Sequence, residues 1–141
     1  MMIAAKLSNR APERPPATVL VVEDDPILRF TLAMELGQAG FIVREAASAE
    51  EAETVLNTGA AVDLVVTDIE MPGARNGLDL AKFVRAFRPH IRVVVVSGIL
   101  PATGIVGVAD AFFGKPYDLD RLILRIRSLL GPMKRLAAHR G

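Results

Sequence analysis

Five short runs of apolar, mostly β-branched residues punctuate the chain: 18–22 (TVLVV), 41–43 (FIV), 64–67 (LVVT), 93–96 (VVVV) and a weaker 111–113 (AFF). They do not alternate apolar with polar as a half-wetted strand does, so they read as strands covered on both faces. Helical signals fill most of the gaps. Asp25 stands ready to cap a first helix with Pro26 at its first position, and Gly37 and Gly40 close it. Ser48-Ala49-Glu50-Glu51 spells a capping box for a second helix that buries Ala52, Val55 and Leu56. Leu80, Phe83, Val84 and Phe87 form the stripe of a third helix. Leu119, Leu122, Ile123, Ile126 and Leu130 form that of a last one, which Gly131-Pro132 is expected to stop. The gap at 98–110 breaks the rhythm. Gly98, Pro101, Gly104 and Gly107 among β-branched residues make a poor helix, so an irregular loop with at most one helical turn is expected there.

Strands alternating with helices imply right-handed crossovers and a doubly wound parallel α/β sheet. At 141 residues the chain is long enough for one good core. We divide it into a flexible arm (1–16), a folded domain (17–131) and a basic tail (132–141). The arm carries charges and prolines without a signal-peptide apolar run, and the longest uncharged stretch, 93–109, is too broken to span a bilayer. Without cysteine there is no disulfide framework, thiolate metal site or Cys nucleophile. A soluble cytoplasmic protein is the expectation. A net charge of +1 gives no reason to expect nucleic acid or membrane as a partner. Neither His90 nor His139 sits in a nucleophile–base pattern, and both read as surface residues.

Open parallel sheets place their sites at the carboxyl ends of the strands. There the first run ends in Glu23-Asp24-Asp25, the third in Asp68, the fourth in Ser97, and the fifth delivers Lys115-Pro116. Taken singly, each has an ordinary explanation: solvated loop acids, an Asp opening a turn before Met-Pro-Gly, strand-end punctuation, an exposed lysine. Taken together, four strand ends supplying acids, a hydroxyl and an ammonium point to a site.

The motifs "VVEDD", "DIEMPG", "VVVVSG" and "KPYD", in that order, with 44 positions from Asp24 to Asp68 and Phe112 three before Lys115, carry a resemblance. From residue 18 to about 130 the chain resembles a response-regulator receiver domain of two-component signalling. The resemblance implies a flavodoxin-like (βα)5 fold with sheet order 2-1-3-4-5, its fourth helix here shortened or irregular. It implies that Asp68 accepts a phosphoryl group from a phosphohistidine on a histidine kinase or histidine phosphotransfer protein. It also implies Mg²⁺ held by Glu23, Asp24, Asp68 and the backbone carbonyl of Glu70. Hard oxygen ligands suit that ion, and a cation relieves the repulsion between carboxylate and phosphate. Lys115 would pair with phosphoryl oxygens and Ser97 would donate to one. Pro116 is the candidate cis peptide, and Phe112 the aromatic of the switch, with plain core packing beside Phe113 as the open alternative.

Two features depart from the family. "MPGARNGLDL" is about one residue longer than usual, which bears on access to Asp68. The abbreviated 98–110 segment leaves Ile99, Leu100, Ile105, Val106 and Val108 either packed inward or exposed as a surface for a partner or a weak dimer. About ten residues follow Leu130, so a stand-alone receiver acting by protein contact, not a turnover enzyme, is the expectation. The alternative kept open is a degenerate, constitutive interaction module that is never phosphorylated. A haloacid-dehalogenase-type phosphatase fits less well, because Glu70 stands where its second Asp belongs. A flavin-binding flavodoxin fits least, since the first loop offers carboxylates to a phosphate.

Overall fold

In the computed structural model, the described residues are 16–99 and 107–140, the last stretch beyond Gly131 in backbone alone. Strands β1 (Thr18–Val22), β2 (Ile42–Ala46), β3 (Leu64–Asp68), β4 (Arg92–Ser97) and β5 (Ala111–Gly114) form one sheet in the order β2-β1-β3-β4-β5. Every pairing is parallel. Four helices lie among the described residues: α1 (Pro26–Gln38), α2 (Ala49–Asn57), α3 (Gly77–Phe87) and α4 (Leu119–Arg140). This is the flavodoxin-like doubly wound arrangement.

Successive residues of a strand point to opposite faces, and here both faces are roofed. Leu20, Val22, Val65, Val93 and Val95 face α2 and α3, packing with Ala49, Ala52, Leu56, Leu80, Ala81 and Val84. Val19, Val21, Leu64, Val66, Val94 and Val96 face α1 and α4, packing with Leu32, Leu36, Leu122, Ile126 and Leu130. That is why β1, β3 and β4 consist almost wholly of apolar residues. Their polar residues sit mainly at the carboxyl end, where the helices no longer cover them.

Four expectations need correction. The second strand runs to Ala46, not Val43, because it is the edge strand. Ile42, Arg44 and Glu45 are exposed, so no apolar run was needed to build it. Phe87 is 63% exposed: the buried face of α3 is Gly77, Leu80, Ala81 and Val84, and Phe87 packs against Phe83, ring centroids 5.2 Å apart. Gly37 lies within α1 and does not close it; Gly40, at φ 103°, takes the chain out of the helix. The last helix passes through Gly131-Pro132 and continues to Arg140. Proline removes one helical hydrogen bond, and the Met, Lys, Arg, Leu and Ala that follow are strong helix formers.

Among the described residues no helix stands between β4 and β5. The expectations for Leu100, Pro101, Gly104, Ile105 and Val106, and for the arm at 1–15, lie outside the described residues. Of the flanking positions, Ile99 is 64% exposed while Val108 packs against the core on the α2–α3 side.

Candidate functional site

The three consecutive acids after β1 divide their work. Asp25 is the N-cap of α1, its Oδ1 accepting from the N–H groups of Ile27 (2.9 Å) and Leu28 (3.3 Å). Its own N–H donates to Glu23 Oε2 at 3.2 Å. Glu23 is thereby held in place: its N–H continues the β1–β2 pairing to the Ala46 carbonyl (3.1 Å), and Arg29 donates to its carbonyl oxygen (2.9 Å). Glu23 is buried and Asp24 exposed.

Asp68 ends β3 at the centre of the sheet and is only 6% exposed. Carboxylate oxygens from Glu23, Asp24 and Asp68 lie within 4.8 Å of one another. The β4–β5 pairing runs on through the Lys115 N–H, which donates to the Ser97 carbonyl at 2.8 Å. The following Lys115–Pro116 peptide is cis. The lysine reaches back across the sheet end, Nζ donating to Asp68 Oδ2 (2.8 Å) and Glu23 Oε1 (3.1 Å). Residues 23, 24, 68 and 115 thus converge at one edge.

Their electrostatics is lopsided. Burial raises the Glu23 pKa above its ordinary value; the Asp25 N–H and the Lys115 ammonium pull the other way without cancelling it. For Lys115 burial acts to lower the pKa, but the hydrogen bonds to Asp68 and Glu23 outweigh it and the net shift is upward. Three carboxylates against one ammonium leave negative charge uncompensated. Asp68 Oδ1, moreover, is buried with no hydrogen-bond partner. A buried carboxylate oxygen without a partner is costly. These hard oxygen donors, clustered on an open side, fit a small divalent cation such as Mg²⁺. Beside them an open hollow of about 540 Å³, lined by Asp24, Ile69, Glu70, Met71, Pro72 and Asn76, leads to solvent.

Ser97 ends β4 and is 1% exposed. Its hydroxyl donates to the Glu70 carboxylate (3.0 and 3.1 Å to the two oxygens) and accepts from the Ile99 N–H (3.1 Å). Phe112 is half-buried against the core on the α2–α3 side.

Two contributors escaped the sequence reading. One is the Glu70 side chain, for which only a backbone role was expected. The other is Gly77, the first residue of α3, whose N–H donates to the Ile69 carbonyl (3.0 Å). An ideal Cβ there would meet the Asp68 carbonyl oxygen at 1.8 Å. A glycine opening a helix that Asn76 and Asp79 already cap reciprocally (both bonds 2.9 Å) was the available signal, since nothing else calls for so poor a helix former.

Residues 19–127 match the family described as the response regulator receiver domain. The chain is 34% identical over 131 residues to the transcriptional regulatory protein AruR of Pseudomonas aeruginosa, covering 87% of this chain and 53% of that protein. It is 37% identical over 119 residues to the sensor kinase CckA of Brucella abortus, covering 81% of this chain and 12% of that protein. The chain therefore spans about half the length of the first relative and a small part of the second.

Among solved structures, a response regulator receiver protein from Sinorhizobium medicae superposes with a TM-score of 0.75 at 32% identity, covering 83% of this chain and 96% of its own. TrrA from Thermotoga maritima, in complex with Mg²⁺-BeF, gives 0.74 at 29% identity, covering 81% and 99%. A CheY-like receiver domain from Methanospirillum hungatei gives 0.78 at 24%, covering 85% and 98%, a likeness of fold alone. The sheet order, the acids at its carboxyl edge and these likenesses agree: the chain belongs to the response-regulator receiver domain family of two-component signalling.

Proposed function

We propose that Asp68 is the phosphoryl acceptor of a two-component relay. The donor is a phosphohistidine on a histidine kinase or histidine phosphotransfer protein. The observation that carries this reading is the buried, unpartnered Oδ1 of Asp68 in a cluster of acids that one lysine does not neutralise.

The step is a displacement at phosphorus. An Asp68 carboxylate oxygen forms the new P–O bond, the P–N bond to the donor imidazole breaks, and the imidazole takes up a proton from solvent. Glu23, Asp24, Asp68 and the Glu70 backbone carbonyl are the groups that would hold Mg²⁺, which when bound supplies the charge that lets a carboxylate approach a phosphoryl group. Lys115 holds Asp68 Oδ2 in place beforehand and serves as a point charge for the phosphoryl oxygens afterwards. Ser97 provides a neutral donor to the same oxygens. Strand ends, not flexible loops, carry Asp68, Ser97 and Lys115, so little ordering remains to be done at the moment of transfer. The consequence is a shift between two conformers that alters a protein-contact surface, with Phe112 following Ser97. The chain is an acceptor that promotes its own modification, not a turnover enzyme.

The test is incubation with acetyl phosphate in the presence and absence of Mg²⁺, followed on a phosphate-affinity gel. Wild type should shift with Mg²⁺ only, and Asp68→Ala should not shift at all. A wild type that stays unmodified under donor and Mg²⁺ sinks the proposal.

A further inference from the structure

We infer that Glu70 is a positioning residue that holds the Ser97 hydroxyl away from service to the acceptor, so that phosphoryl engagement requires a Glu70–Ser97 hydrogen bond to break. This rests on the phosphoacceptor reading above and adds to it an opposing contact within the chain itself.

A serine hydroxyl has one proton to give. In this structure that proton is committed to the Glu70 carboxylate, whose two oxygens stand 3.0 and 3.1 Å from Ser97 Oγ. A lone pair of the same oxygen is taken by the Ile99 N–H at 3.1 Å. Ser97 is 1% exposed, so no water competes freely for the hydroxyl. Glu70, by contrast, is an exposed residue whose ionised side chain turns inward onto a buried neutral donor. Hydrogen bonds to an ionised acceptor are the stronger kind. The bond ties the loop after β3, two residues past the acceptor, to the end of β4, which carries the hydroxyl.

Two consequences follow. The hydroxyl cannot donate to a phosphoryl oxygen and to Glu70 at once, so the Glu70 contact is lost when Ser97 engages. The Ile99 N–H is bonded to the same oxygen, so any movement of Ser97 Oγ is felt by the backbone at Ile99, whose side chain is 64% exposed beside the site. Glu70 therefore sets the threshold of the switch, and Ile99 is a surface residue coupled to its crossing.

Beryllofluoride with Mg²⁺ serves as the phosphoryl probe, titrated into the full chain by calorimetry. The proteins are wild type, Glu70→Ala, Glu70→Gln, Ser97→Ala and the Glu70→Ala/Ser97→Ala double variant. Removing a hydrogen bond to a charged acceptor should tighten probe binding by about tenfold in Glu70→Ala. Glu70→Gln, whose carboxamide oxygen still accepts, should tighten it less. In the Ser97→Ala background the Glu70→Ala change should have no effect, the signature of two residues acting through one bond.

The inference is overturned if Glu70→Ala stays within about twofold of wild type, or if its gain survives in Ser97→Ala. A gain in Glu70→Gln as large as that in Glu70→Ala also overturns it, because relief of charge repulsion alone would then suffice. Folded wild type that binds no probe with Mg²⁺ present removes the phosphoacceptor reading and this inference together. Wild type that binds, with no influence of Glu70, removes this inference only.

Discussion

Gly77 stands against the main chain of Asp68: a Cβ on the glycine would lie 1.8 Å from the Asp68 carbonyl oxygen and 2.7 Å from its carbonyl carbon. Backbone cannot yield as a flexible side-chain tip can. Alanine is the better helix former by about 1 kcal/mol, but overlap this deep outweighs that gain. Gly77→Ala should lose at least about 3 kcal/mol of stability. It should also weaken Mg²⁺ binding, because the residue pushed aside is the one at the centre of the site. Thermal melts with and without Mg²⁺ check this; an alanine variant melting at or above wild type contradicts the close approach.

The acids after β1 should separate by function. Asp25→Ala removes the cap of α1 and should cost about 1 kcal/mol while leaving Mg²⁺ binding intact. Asp24→Ala should do the reverse, abolishing measurable Mg²⁺ binding with little change in the melt of the metal-free protein. A calorimetric Mg²⁺ titration beside a denaturant melt distinguishes them, and equal behaviour of the two variants would refute the division.

Glu23 should trade stability for cation binding. Burial raises its pKa, so the folded-state value lies above the unfolded one near 4.5. Its protonated form therefore stabilises the fold at low pH, and that contribution is lost as pH rises through the folded-state value. Glu23→Gln keeps the shape and an acceptor for Lys115 but removes the charge. At neutral pH its metal-free form should melt at or above wild type, while its Mg²⁺ affinity drops by tenfold or more, an estimate of about 1.4 kcal/mol or greater for a ligand charge. In wild type, Mg²⁺ affinity should climb from pH 4.5 upward and then level off as Glu23 finishes ionising. A metal-free Glu23→Gln protein that melts well below wild type would contradict the burial argument.

Lys115 should matter to folding as well as to chemistry. Its folded-state pKa is raised, so its contribution is full below the unfolded value near 10.5 and is lost as pH rises through the folded-state value. Lys115→Met strands two buried carboxylates and should cost about 3–5 kcal/mol at neutral pH. For a chain of this size that is roughly 10–17 °C in Tm. The deficit should shrink as pH falls and Glu23, its pKa raised, takes up a proton, and Mg²⁺ should partly repair it at pH 7. A deficit that does not change with pH would mean lost packing, not charge.

The legible parts of this protein are those where one physical constraint acted alone. The strands β1, β3 and β4 are buried on both faces, so their sequence could scarcely be anything but apolar and β-branched, and they were readable nearly to the residue. The residues that stop those runs, Glu23, Asp24, Asp68 and Ser97, were conspicuous for the same reason. Edge strand β2 was half missed because Arg44 and Glu45 answer to solvent on an exposed edge. Phe87 was misplaced because a stripe at helical spacing fixes a periodicity but not where the covered arc ends. Gly77 and the Glu70 side chain are harder to read: each matters through a contact outside its own element, Gly77 at the start of α3 against the end of β3 and Glu70 against the end of β4, and only a glycine opening an already capped helix points to the first.

Whether the phosphoryl group goes onto Asp68 can be read from chemical mapping. After exposure to acetyl phosphate and Mg²⁺, borohydride reduces an aspartyl phosphate to homoserine, and tandem mass spectrometry of the peptide spanning β3 reads the position. Homoserine is expected at position 68 in wild type, and none when Mg²⁺ is chelated. Homoserine at Asp24 or another acid, or an unmodified Asp68 with donor and Mg²⁺ in excess, would contradict it.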